Sequence, residues 1–111
     1  MTITRTTTDG VAVLALDGDA LGGPDGSALH AELHKARGEG PLNAVVDLSG
    51  VRHMNSSGLG MLIGALTTAR NAGGDLRLAA VGERIRALLD VTRLDGVFQS
   101  FDTVDAAVAS Y

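Results

Sequence analysis

From Leu42 onward the chain alternates between two hydrophobic periods, and that alternation restricts its fold more than any other feature. LNAVVDL, Leu42–Leu48, is an apolar run of strand length. It is followed by Leu59, Leu62, Ile63 and Leu66 at i, i+3, i+4 and i+7, the spacing of a helix with one core-facing stripe. LRLAAV, Leu76–Val81, reads as a strand again, and Glu83–Leu89 as a short helix with Ile85, Leu88 and Leu89 inward. Val97–Phe101 is a brief last strand, after which Asp102 or Thr103 can cap a terminal helix carrying Val104, Ala107 and Val108. Strands separated by helices in this way pair in parallel through right-handed crossovers.

The first part of the chain adds an antiparallel edge. Thr2–Thr8 is β-branched and alternating, Asp9-Gly10 is a two-residue hairpin signal, and VAVLAL at Val11–Leu16 is apolar enough to be covered on both faces. Asp17–Gly23 holds three glycines and two aspartates and reads as a loop. Pro24 suits the first turn of a helix that carries Leu29 and Leu33 and stops at Gly38–Gly40. Residues 1–111 are therefore expected to form a single α/β domain. It is a small mixed, mostly parallel sheet of four to five strands with about four helices packed on it.

Composition removes whole classes of function. The aromatic residues are Phe98, Phe101 and Tyr111, so the core is aliphatic. Cysteine is absent, which excludes disulfides, thiolate zinc sites and cysteine nucleophiles. The N-terminus lacks an apolar signal core, and no apolar run reaches the roughly 18 residues of a membrane span. These features fit a cytoplasmic protein without membrane contact. Net charge is −4 and the nine Lys and Arg residues are scattered. With no aromatic platform either, nucleic acid is not an expected partner.

Four motifs look like chemistry and fail on context. GLGMLIG, Gly58–Gly64, resembles a dinucleotide fingerprint, but Gly58 lies ten residues past Leu48 rather than in a tight turn after the strand. Gly60 and Gly64 share a helix face, which suggests close packing against the sheet or a partner. His30 and His34 have metal-ligand spacing in HAELH but lack a third ligand, so no metal and no cofactor is expected. His53 stands three residues before Ser56, yet a hydrolase needs an orienting third group and an oxyanion hole. Asp47 closes its strand and reads as a structural acceptor for the following loop. No catalytic residue is assigned, and the chain is not expected to be an enzyme.

Asn55-Ser56-Ser57 remains. A helix start favours one such residue as its N-cap, and here three compete. A serine there also suits phosphorylation. The added charge of about −1.5 to −2 meets the positive helix end, so modification need not unfold the protein.

The stretch VVDLSGVRHMNSSGLGMLIGALTTARNAGGDLRLAAV resembles the core motif of the STAS domain family, specifically its stand-alone bacterial anti-sigma-factor antagonists. The likeness extends over nearly the whole chain, including the turn at Gly18 and the RIRALLDVTRLDGVF tail. In that family the motif reads Asp-Ser-Ser/Thr-Gly-Leu, and the serine after the aspartate is phosphorylated. The resemblance thus implies a phosphoacceptor at Ser56, with Asn55, Ser57 and Gly58 as its neighbours. It implies a kinase that is itself the anti-sigma factor, a histidine-kinase-like ATPase acting on serine, and a PP2C-type phosphatase that reverses the reaction. Unphosphorylated antagonist binds the anti-sigma factor and frees the sigma factor. Contacts are expected from Asp19, Leu21, Gly22, His53, Met54 and Leu59. Two departures stand out: Asn55 replaces the family's aspartate, and the loop after Gly18 reads DALGG, where the family often has an acidic residue a few positions on. STAS domains also serve as scaffold or accessory subunits in signalling or transport complexes, and Asn55 keeps that alternative open.

Overall fold

A computed structural model describes residues 1–111. The elements run β1 (Thr2–Thr8), β2 (Val11–Asp17), α1 (Pro24–Ala36), β3 (Asn43–Gly50), α2 (Ser56–Asn71), β4 (Asp75–Ala79), α3 (Glu83–Val91), β5 (Ser100–Phe101) and α4 (Val104–Ala109). They form one five-stranded sheet in the order β1-β2-β3-β4-β5, in which β1 is antiparallel to β2 and every other pairing is parallel. Asp9 and Gly10 both have positive φ, 51° and 78°, as the two-residue turn that joins twisted strands requires.

Strand alternation divides the sheet into two faces. Leu14, Val46 and Leu78 stand in register across β2, β3 and β4 and point into the larger core. There Leu29 and Leu33 of α1, Leu62 and Leu66 of α2, and Ile85 and Leu89 of α3 cover them. The intervening residues Val13 and Val45 face the other way, and α4 covers them with Ala107 and Val108. All three crossover helices therefore lie on one face, and the β–α loops gather at the carboxyl ends of the parallel strands.

Three local expectations are corrected. Ile63 does not face the core. The buried arc of α2 is centred on Gly58, Met61, Leu62, Ala65, Leu66 and Ala69, and Ile63 falls outside it at 38% exposed. Val97 is exposed and the last strand shrinks to two residues. The cause is a turn in which the amides of Val97 and Phe98 both bond the Leu94 carbonyl, and this turn drives Phe98 into the core instead. The strand expected over Leu76–Val81 runs Asp75–Ala79 and ends there because Ala80 adopts φ 54°, which breaks the extended backbone.

Thr103, not Asp102, caps α4, its side chain accepting from the Ala106 amide at 3.1 Å. Tyr111 then ties this end of the chain to the sheet. Its hydroxyl donates to the carbonyls of Ala44 (2.6 Å) and Asp75 (2.9 Å), and the Arg77 guanidinium lies 4.0 Å from the ring centroid. Burial pushes the phenol up from 10.0 to about 12, against the Ala44 hydrogen bond and the charge of Arg77, which pull it down. Because the folded value is the higher one, this contribution is complete below pH 10 and is lost as pH rises through 12. Tyr111→Phe is expected to cost about 1 kcal/mol at pH 7 and to flatten the fall in stability above pH 10. Urea melts at pH 7 and pH 11 check both; an unchanged alkaline decline would assign it to other groups.

Candidate functional site

The site forms where two loops continue the sheet beyond its strands. β2 and β3 part at Asp17 and Gly50, and Gly18 N still donates to the Gly50 carbonyl at 3.0 Å. The chains then meet again. Ala20 N donates to His53 O at 2.9 Å and Asn55 N to Ala20 O at 3.3 Å, a short parallel bridge between Ala20 and Met54. Ala20 is fully buried, so this bridge lies beneath the surface that the two loops present.

Two glycines allow the loops to sit this close. A Cβ on Gly58, in the first turn of α2, would collide with the Ala20 carbonyl oxygen and lie 3.0 Å from Met54 Cγ. Gly22 has φ +84°, and a Cβ there would lie 2.5 Å from the Cβ of Ser57. The loop after β2 is thereby pressed onto the start of α2. Close packing was expected of Gly60 and Gly64, but a Cβ on either meets nothing within 4 Å. They lie on the exposed side of α2 and do not pack against the sheet.

Of the three candidate caps the structure selects Asn55. Its side chain accepts from Gly58 N at 2.8 Å, and α2 begins at Ser56. With the cap supplied by Asn55, neither serine is held in that role, and both are exposed at the positive end of α2. The first turn of α2 contains no acidic residue. From Ser56 to Ala69 the helix carries no charge at all, so its exposed face of Ser56, Gly60, Ile63, Gly64 and Thr67 is neutral.

The other anticipated contact residues divide. Asp19 and His53 come together, with Nδ1 and Oδ1 3.2 Å apart and both side chains about half exposed. A pair so exposed adds roughly 0–1 kcal/mol. Leu21 is 52% exposed beside them, Gly22 sits on Ser57, and Met54 is half-buried. Leu59 is the correction. It is 4% exposed and belongs to the core, so it supports the site from below and cannot touch a partner directly. Asp19 does supply the orienting group for His53 that local sequence did not reveal. However, His53 makes no hydrogen bond to Ser56, and Ser56 does not line the cavity beside His53, so no nucleophile–base pair is assembled. Asp47 accepts from Ser49 N at 3.0 Å, two residues on and still within β3, so it is a structural acceptor of the strand's own end and not of the following loop.

One group near the site was not anticipated. Glu83 and Arg84, at the start of α3, line a cavity together with Arg52 and His53. Nothing local in the sequence joins positions thirty residues apart; the parallel pairing of β3 and β4 does so. No group of three or more His, Asp or Glu side chains is placed to hold a metal ion, and no helix is long and apolar enough to cross a membrane.

Comparisons with known proteins agree with this geometry. An anti-sigma-B factor antagonist of Staphylococcus epidermidis is 38% identical over 58 residues, 52% of this chain and 54% of the relative. The matched segment thus spans about half the length of that curated relative. The crystal structure of an anti-sigma factor antagonist from Mycobacterium paratuberculosis superposes with TM-score 0.80 at 26% identity, covering 98% of this chain and 92% of the other. The Bacillus cell fate determinant SpoIIAA in its phosphorylated form has the same fold, with TM-score 0.72 at 16% identity over 99% of this chain and all of the other. The model of the STAS domain matches residues 2–107. This chain belongs to the STAS domain family.

Proposed function

We propose that this chain, as a single unit of residues 1–111, is an anti-sigma-factor antagonist that works by binding and not by catalysis. In its unphosphorylated form it binds an anti-sigma factor of the histidine-kinase-like ATPase family and releases the sigma factor held there. That anti-sigma factor phosphorylates Ser56, which ends the binding, and a PP2C-type phosphatase restores it. The observation that carries this reading is the exposure of Ser56 at the first position of α2 while Asn55 does the capping. The acceptor can be modified without dismantling the helix start. Around it lies a neutral helix face, rimmed by the loop containing Asp19, Leu21 and Gly22 and the connection containing His53 and Met54. A charge of about −2 at the edge of that face has to be desolvated when a partner covers it, which opposes binding while the fold persists.

Asn55 bears on the alternative. It caps α2 but lacks the charge of the family's aspartate, and a scaffold or accessory subunit would need only the cap. The test is incubation of the purified chain with ATP and the serine-kinase anti-sigma factors of its own organism, followed by mass spectrometry. Phosphate on Ser56 is the expected result. A folded chain left unmodified by every such kinase would favour the scaffold.

A further inference from the structure

The corner beside the Ser56 face holds positive charge that the fold leaves unused. Between the β3–α2 connection and the start of α3 lies a cavity of about 460 Å³. Val51 and Ile85, 4% and 1% exposed, give it a buried apolar lining, and Arg52, His53, Glu83 and Arg84 complete it. Three arginines lie in ion pairs, Arg5 with Glu32 at 3.0 Å, and Arg70 and Arg77 with Asp75 at 3.3 and 3.6 Å, whereas Arg37, Arg86 and Arg93 stand singly outside any cavity. Arg52 and Arg84 are exposed and have no such partner. Glu83 supplies one negative charge against these two guanidinium groups, and it stands in the first turn of α3, where the helix dipole already favours it. His53 is committed through Nδ1 to Asp19. With two guanidinium groups against one carboxylate, the lining of this cavity carries a net positive charge in a chain of net charge −4.

Arg52 lies in the connection that leads into α2, four residues before Ser56, so the cavity borders the start of the Ser56 face. Covering the cavity removes water from two guanidinium groups, and an unpaired desolvated charge is strongly unfavourable. The planar fork of arginine fits a carboxylate in two parallel hydrogen bonds. The neutral α2 face offers no other charged contact. We infer that Arg52 and Arg84 clamp an aspartate or glutamate side chain of the bound protein partner at this cavity. This rests on reading the Ser56 face as the partner surface.

The test measures affinity for the anti-sigma kinase that binds the wild-type chain, by isothermal titration, with Arg52→Glu, Arg84→Glu and the double variant. Each single reversal is expected to weaken binding at least about tenfold and the double about 100-fold, with melting temperature unchanged because both side chains are exposed. Reversing one acidic residue of the kinase to arginine restores affinity to a single variant. Should a glutamate variant melt early, the glutamine variants carry the comparison. Reversal variants that bind like wild type, while Ser56→Asp still loses binding, overturn the clamp and leave the proposed function standing. Wild type that binds no such kinase overturns both. Saturable binding of inorganic phosphate that depends on Arg52 and Arg84, with kinase affinity unchanged by their reversal, also overturns the clamp and makes the cavity a small-anion site.

Discussion

Ser56→Asp is expected to reduce affinity for the proposed anti-sigma kinase partner by about 100-fold without lowering the melting temperature. The two effects separate because the substitution acts on two environments at once. Within the chain, a carboxylate at the first position of α2 faces the positive helix end, where the first turn holds no acidic residue, and gains roughly 0.3–1 kcal/mol. Across the interface, the same charge sits at the edge of the neutral Gly60, Ile63, Gly64 face and must be desolvated when that face is covered. Ser56→Ala removes only a hydroxyl, so it is expected to bind as wild type and to stay bound when ATP is added. Titration calorimetry with and without ATP reads both variants. Equal binding by Ser56→Ala and Ser56→Asp would show that Ser56 is not the switch.

Gly58→Ala gives the largest effect expected on stability. Helix propensity alone argues for a gain of up to about 1 kcal/mol, since α2 is extended by a better former. The new methyl, however, enters the space of the Ala20 carbonyl oxygen, with Met54 Cγ a further 3.0 Å neighbour. That carbonyl accepts from Asn55 N and cannot retreat without loosening the bridge between the two loops. Overpacking of this kind costs about 1–3 kcal/mol, and loss of the bridging hydrogen bond adds about 1 kcal/mol, so the clash outweighs the propensity gain. The net loss is expected to be about 2 kcal/mol, which lowers the melting temperature by roughly 10 °C in a domain of this size. Gly60→Ala and Gly64→Ala serve as controls. A Cβ on either meets nothing within 4 Å, so each is expected to raise stability by up to about 1 kcal/mol. Calorimetric melting of the three variants decides the matter. A Gly58→Ala protein as stable as the Gly60→Ala protein would mean that the loops do not press on α2.

The architecture is largely legible in the sequence, because each element is announced by a local period. The apolar runs in β2 and β3, the 3.6-residue stripe in α2 and the Asp9-Gly10 turn need only their own neighbours to be recognised. Local patterning failed where two periods compete. Ile63 fits the i+4 position of a stripe starting at Leu59, yet the sheet meets α2 along the Met61–Leu62–Ala65 line, and no local rule states where that line falls. Val97 and Phe98 read as strand until the turn at Leu94 claims their amides.

The candidate site was half legible for the same reason. Capping chemistry limited the helix start to Asn55, Ser56 or Ser57, and the structure places the cap at Asn55 with α2 beginning at Ser56. Choosing the cap required the position of Gly58 N relative to Asn55, which depends on how Ala20 docks against α2. Leu59 adjoins the motif in sequence and is buried in space, whereas Asp19 is distant in sequence and touches His53. The amino-acid order by itself determined the element types, the parallel α/β pattern and the family motif, since all of these arise from residues within a few positions of one another. Only the tertiary structure decided which glycine is packed, which residue caps α2, and that Arg52 and Arg84 share a cavity. Those outcomes depend on the pairing of strands far apart in the chain, and that pairing is governed by burial of the whole sheet.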